Sequence, residues 1–241
     1  MELEGLRRLV GDMLLSCGAA LDRSRSRDGR PVRRDEEPDG LGFRLKLHER
    51  DPEAPLAPFY FNLGTSDSSE PGPLTDDAVR LIGELLWRFT EHEGLQYDAV
   101  IGLSPEGEPF ATEFVRCALA LSRRSIPLLG FQPQGGGAGR RAGGAISGSF
   151  RQGDKVLIVG GLCATADTNL ETVERLREVG LVVEDMCVLI DKGGAAMLSQ
   201  RGCCALHAVF TVRELFHYYR HRCFITAEVY ADVMAYLRGP K

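Results

Sequence analysis

From Asp98 to the C-terminus, short apolar runs alternate with stretches of helical periodicity. This alternation constrains the fold more than any other feature. The runs are DAVIG (98–102), IPLLGF (126–131), KVLIV (155–159), LVVEDMCVLI (181–190) and CALHAVF (204–210). Segments apolar at nearly every position read as strands buried on both faces. Between two of them, Leu170, Val173, Leu176 and Val179 recur at helical spacing, and Gly180 closes that helix. Strands joined through helices require crossover connections, and these run right-handed over a mostly parallel sheet. The chain is therefore expected to be α/β, with a twisted central sheet flanked by helices.

The N-terminal third is less regular. Leu6, Leu9, Val10, Met13 and Leu14 predict a helix over 3–15. FRLKL (43–47) and PFYFNL (58–63) predict two strands. Thr75 predicts an N-cap, with Asp76 and Asp77 in the first turn where the helix dipole favours them. In LSPEGEP (103–109) a loop is expected, with Pro109 at the first position of a helix that runs to about Ser122. A short helix from Thr211 and a last one from Thr226 to about Arg238 complete the pattern. Residues 22–40 are charged and broken by Gly and Pro, and residues 132–148 are rich in glycine. Both are expected to be mobile loops in a single domain covering 1–241.

Charge and composition narrow the function classes. With 34 acidic against 29 basic residues, the net charge is −5. A basic face for nucleic acid or an anionic membrane is not expected. The seven cysteines are odd in number and form no CxxC pair, so reduced thiols in a cytoplasmic protein are expected. No leader or membrane span is expected either. His217 and His221 in HYYRH share a helical face. Without an HExxH glutamate or a second cluster, the pair is read as a polar helix surface and no metal is assigned.

The chemistry concentrates in KVLIVGGLCATADTNLETVERL (155–176). Thr168 and Glu171 have the spacing of a capping box, which predicts a helix from about Asn169. The preceding loop then offers free N–H groups and Thr hydroxyls at a helix N-terminus, a setting that suits an anion. A plain strand-to-helix turn capped by Thr168 fits the same residues.

This segment resembles the signature of type I phosphoribosyltransferases, and is nearest to the orotate branch. PFYFN (58–62), FRLK (43–46) and VLIDKGG (188–194) resemble further stretches of that family, in the same order. The resemblance implies the type I phosphoribosyltransferase fold with a flexible hood loop, and a homodimer. It implies phosphate binding by Ala164, Thr165, Ala166, Asp167 and Thr168. It also implies nucleobase contacts from Lys46, Tyr60, Phe61 and Lys192, and hood-loop cations at Arg140 and Arg141. The partner would be a nucleotide or phosphorylated sugar, with Mg²⁺ as cofactor if the protein is active.

The family's acidic pair, which holds the ribose and supports positive charge on the reacting sugar, falls on Gly160 and Gly161. Glycine offers no side-chain acceptor for those contacts. The reading is a divergent homologue that keeps a phosphate or nucleotide cleft and has transfer reduced or lost. One alternative is an active orotate phosphoribosyltransferase in pyrimidine synthesis, with Glu106, Glu108, Asp167 or Asp191 taking over metal or sugar contacts. Another is a structural dimer partner with an empty cleft.

Overall fold

The structure is a computed structural model, and it describes residues 2–24, 42–43, 45, 51, 53–68, 71–131, 145–163, 166–202 and 204–239. The expectations for Lys46, Arg140, Arg141, Ala164 and Thr165, and for most of both expected loops, lie outside the described residues. The chain divides into two compact units, Met1–Val10 with Thr75–Thr211, and Gly11–Leu74 with Val212–Lys241. Helix α1 (Leu3–Ser16) contributes to both.

In the first unit, α2 (Asp76–Glu93) is followed by β3 (Ala99–Gly102), α3 (Ser104–Ser122), β4 (Leu128–Phe131), β5 (Ile146–Ser147), β6 (Val156–Cys163), α4 (Ala166–Glu178), β7 (Asp185–Asp191), α5 (Ala195–Gly202) and β8 (Ala205–Thr211). The sheet order is β5-β4-β3-β6-β7-β8, parallel throughout except for the antiparallel β4–β5 pair. Ile101, Ile158, Met186 and Val188 share a core with Leu170, Val173 and Leu176 of α4 and Leu198 of α5. Strands apolar on both faces are the reason that both faces carry helices.

Thr75 caps α2 as expected, its side chain accepting from the Ala78 N–H. Its start and the parallel sheet follow the sequence reading. Three details do not. First, α3 begins at Ser104 rather than Pro109. Pro105 sits at its start and Pro109 lies inside it. Proline is favoured early in a helix because the missing N–H would have had no partner there, and Pro105 meets that condition. Second, α4 begins at Ala166, one turn before Asn169. Asn169 is buried and donates from Nδ2 to Cys163 Sγ at 3.0 Å, so it serves packing inside the first turn. Third, β6 continues through Gly160, Gly161 and Leu162 to Cys163, so the glycine pair lies within a strand. The end of the glycine-rich segment is also a strand, with Ser147 opposite Gly130 and Ile146 opposite Phe131.

The second unit holds β1 (Ala20–Asp22) and β2 (Phe59–Phe61), paired antiparallel, with α6 (Val212–His221) and α7 (Ala227–Tyr236). Of the predicted strand over 43–47, Phe43 forms a bridge to Ala57, and residues 44, 46 and 47 lie outside the described residues. Its core is aromatic. Phe59 lies 5.5 Å from Phe216 and 5.8 Å from Tyr236 between ring centroids. Tyr219 is fully buried and its hydroxyl donates to the Gly11 carbonyl at 3.0 Å.

Candidate functional site

Topology locates the site before any side chain is considered. From β3 the chain moves one way to β4, and from β6 it moves the other way to β7 and β8. The switch point is therefore between the adjacent strands β3 and β6. In open parallel sheets, ligands bind in the crevice beyond the carboxyl ends of the strands at such a point. The turns that border it here are β3–α3, β6–α4 and β7–α5, all within the first unit.

At the end of β3, α3 starts at once and lies flush on the strands. A Cβ on Gly102 would come within 2.6 Å of Glu108 Cα, so only glycine permits this approach. Leu103 N–H donates to the Val159 carbonyl at 2.7 Å, extending the β3–β6 ladder by one residue. The Leu103 side chain is buried with the core on the α4 side of the sheet. It covers Gly160 directly. A Cβ on Gly160 would meet Leu103 Cβ and Cδ2 at 3.1 Å each, and Val188 Cγ1 at 3.5 Å. Gly160 is buried and Gly161 is half-exposed.

Ala166, Asp167 and Thr168 make the first turn of α4. In a helix the first N–H groups have no intrahelical acceptor, so this turn offers donors beyond the end of β6. Ala166 is helical, so the backbone there needs no glycine.

The β7–α5 turn lies beside it. Lys192 N–H donates to the Cys163 carbonyl at 2.8 Å, tying this turn to the last residue of β6. Asp191 Oδ1 accepts from the Gly193 and Gly194 N–H groups at 2.7 and 2.8 Å. This carboxylate thus shapes the turn. Burial pushes the Lys192 ammonium down to about 8 from 10.5, because the charged form loses hydration. Burial also pushes the Cys163 thiol up to about 12, which keeps it neutral and unreactive.

Magnesium is held in enzymes of phosphorylated substrates through one or two carboxylates together with substrate phosphates. Positions 160 and 161 carry no carboxylate, and Asp191 spends one oxygen, Oδ1, on backbone donors; the side chains of Glu106 and Asp167 lie outside the described residues. Among the described residues no group of three His, Cys, Asp or Glu is placed to hold a metal. Glu108 is exposed on the first turns of α3.

Two of the expected base contacts lie on β2 of the second unit, where strand alternation separates them. Tyr60 is half-buried and stands 5.8 Å from the Phe43 ring. Phe61 turns into the aromatic core, 5.7 Å from Phe59 and 6.3 Å from Phe216, so it is a packing residue. Leu103 was not foreseen, because a single leucine after a strand carries no motif. The cue lay in Gly160, whose lack of a side chain requires a neighbour in that space.

No protein-family model matches the chain. It is 31% identical over 141 residues to the orotate phosphoribosyltransferase of Pyrococcus furiosus, covering 58% of this chain and 72% of that protein. It is also 31% identical over 122 residues to the transcriptional regulator GfcR 1 of Methanosarcina barkeri, covering 48% and 56%. For the next three orotate phosphoribosyltransferases the chain spans 56% to 62% of their length. The orotate phosphoribosyltransferase structure from Francisella tularensis superposes with a TM-score of 0.68 over 93% of this chain and 95% of that one, at 13% identity. That likeness shows a shared fold. No described helix is long and apolar enough to cross a membrane. A switch-point crevice beside a helix N-terminus and 31% identity over most of the Pyrococcus protein agree: the chain belongs to the orotate phosphoribosyltransferase family.

Proposed function

We propose that this protein is a divergent orotate phosphoribosyltransferase homologue that binds a nucleotide or phosphorylated sugar and transfers phosphoribosyl groups poorly or not at all. One observation carries the reading: Gly160 is buried under Leu103, whose Cβ and Cδ2 leave only 3.1 Å for a side chain there. A carboxylate at 160 is absent, and a side chain there would require Leu103 to give way by a few tenths of an ångström. The resemblance assigns the ribose contacts to positions 160 and 161. Two charge-assisted hydrogen bonds of about 1.5–3 kcal/mol each are then missing. Together they correspond to roughly two to four orders of magnitude in sugar binding and in stabilising an oxocarbenium-like transition state.

Two features support a phosphate site: α4 presents its N-terminal N–H groups, which lack intrahelical acceptors, and Lys192, whose backbone is tied to the end of β6, adds a cation nearby. We assign the phosphate to Ala164–Thr168, with Lys192 as a contact to a flat acidic base. A relative that bears the name of a regulator, Methanosarcina GfcR 1, favours a role in binding. A homodimer in the cytoplasm belongs to the same proposal. The test is equilibrium titration of the full chain with orotidylate and with phosphoribosyl pyrophosphate, each with Mg²⁺ in the buffer. Saturable binding of either supports a retained phosphate site. Absence of binding by both would instead assign the protein a structural role.

A further inference from the structure

The face of α6 opposite its aromatic core carries a preorganised pair of imidazoles. Val212, Leu215, Phe216 and Tyr219 are the buried side of this helix. His217 and His221 are exposed, one turn apart on the other side. Their Nε2 atoms lie 3.1 Å from each other, with ring centroids 4.5 Å apart and planes at 73°. The second nitrogen of His217, Nδ1, lies 3.3 Å from the Tyr230 hydroxyl on α7. An oxygen partner on Nδ1 orients the ring and, when Nδ1 carries the proton, leaves the Nε2 lone pair free. This is how ligating histidines are positioned in metalloproteins.

We propose that His217 and His221 form a bidentate site for a borderline divalent transition ion of the Zn²⁺, Ni²⁺ or Cu²⁺ class, with water completing the coordination. An ion about 2.0–2.1 Å from each nitrogen, the usual metal–imidazole length, and nitrogens 3.1 Å apart give an N–metal–N angle of about 95–100°. That angle lies between the octahedral and tetrahedral values. The two nitrogens already stand at chelating distance, and the ion replaces the proton they share. Imidazole nitrogen suits these ions, and Cu²⁺ binds it most tightly in the series. Mg²⁺ prefers oxygen and is not a ligand for this pair. Cationic neighbours in the sequence, Arg220 and Arg222, oppose binding, which places the affinity well below that of a closed four-ligand site.

The experiment is calorimetric titration of the full-length protein with Cu²⁺ and with Zn²⁺, alongside His217→Ala, His221→Ala and Tyr230→Phe. Both histidines are exposed, so these variants keep the fold, and circular dichroism confirms it. The expected result is one site per chain, with each histidine variant weakened about ten-fold or more by loss of the chelate. Tyr230→Phe should weaken binding by a smaller factor through loss of ring orientation. The proposal is overturned if either histidine variant binds Cu²⁺ as tightly as the parent protein. It is overturned equally if the parent shows no saturable site.

Discussion

Placing a side chain at position 160 should destabilise the protein, and shortening Leu103 should relieve much of that cost. In Gly160→Ala the new Cβ would stand 3.1 Å from both Leu103 Cβ and Cδ2. Carbon atoms prefer about 3.5–4.0 Å, so Leu103 has to shift by several tenths of an ångström. Its N–H bond to Val159 at 2.7 Å fixes its backbone, and buried neighbours restrict its side chain. Overpacking of this kind costs about 1–3 kcal/mol. Gly160→Asp should cost more, because the carboxylate would be desolvated against Leu103 and Val188. Leu103→Ala alone leaves a cavity and costs about 2–5 kcal/mol. In the double variant the methyl at 160 enters that cavity, so the two costs should fall short of additivity by about 1 kcal/mol or more. Urea denaturation of the four proteins measures the coupling. Additive costs, or a Gly160→Ala change within about 0.5 kcal/mol of the parent, would refute the claim that Leu103 closes this strand end.

Three further outcomes follow from the geometry. Lys192 is lowered in the folded state from 10.5 to about 8. Between those pH values the unfolded chain binds more protons, so stability should rise with pH there, by at most about 3 kcal/mol. A Lys192→Met variant followed by denaturant unfolding at pH 7.5 and 10 should lose this rise. Thr75→Ala removes the cap of α2 and should lower stability by about 0.5–2 kcal/mol, with Thr75→Ser close to the parent. Among the described cysteines, Cys223 is exposed whereas Cys163, Cys187 and Cys204 are buried and their thiols are pushed up by burial. A thiol reagent at pH 8 should therefore modify Cys223 rapidly. The buried three should react only on unfolding, as mass spectrometry of digested protein will show.

Much of the α/β frame was legible because its signals are long-range patterns. Five apolar runs separated by amphipathic segments leave little room for another class, and Thr75 and Gly180 mark helix ends through local chemistry. The details that escaped depend on contacts distant in sequence. Thr168 and Glu171 have capping-box spacing, yet α4 begins a turn earlier, with Asn169 turned inward to Cys163. Pro109 reads as a helix start, yet Pro105 four residues earlier meets the same rule and lies nearer the end of β3. Tyr60 and Phe61 look alike in the sequence, and only the pairing of β2 with β1 decides that Phe61 is the one turned inward. Gly160–Gly161 was legible as a missing acidic pair. It was not legible as a packing requirement, since Leu103 reaches it from just past the end of the neighbouring strand, 57 positions away in the sequence.

The proposal at issue is that loss of the acidic pair at Gly160 and Gly161 has reduced or abolished phosphoribosyl transfer while a phosphate site remains. The most direct measurement is the rate of orotidylate formation from orotate, phosphoribosyl pyrophosphate and Mg²⁺ by the full chain. It should be run beside the Pyrococcus furiosus relative under conditions where that protein turns over. The account predicts a rate at least about a hundred-fold lower, the smaller of the two losses worked out for the missing contacts. Turnover comparable to that of the relative would contradict it.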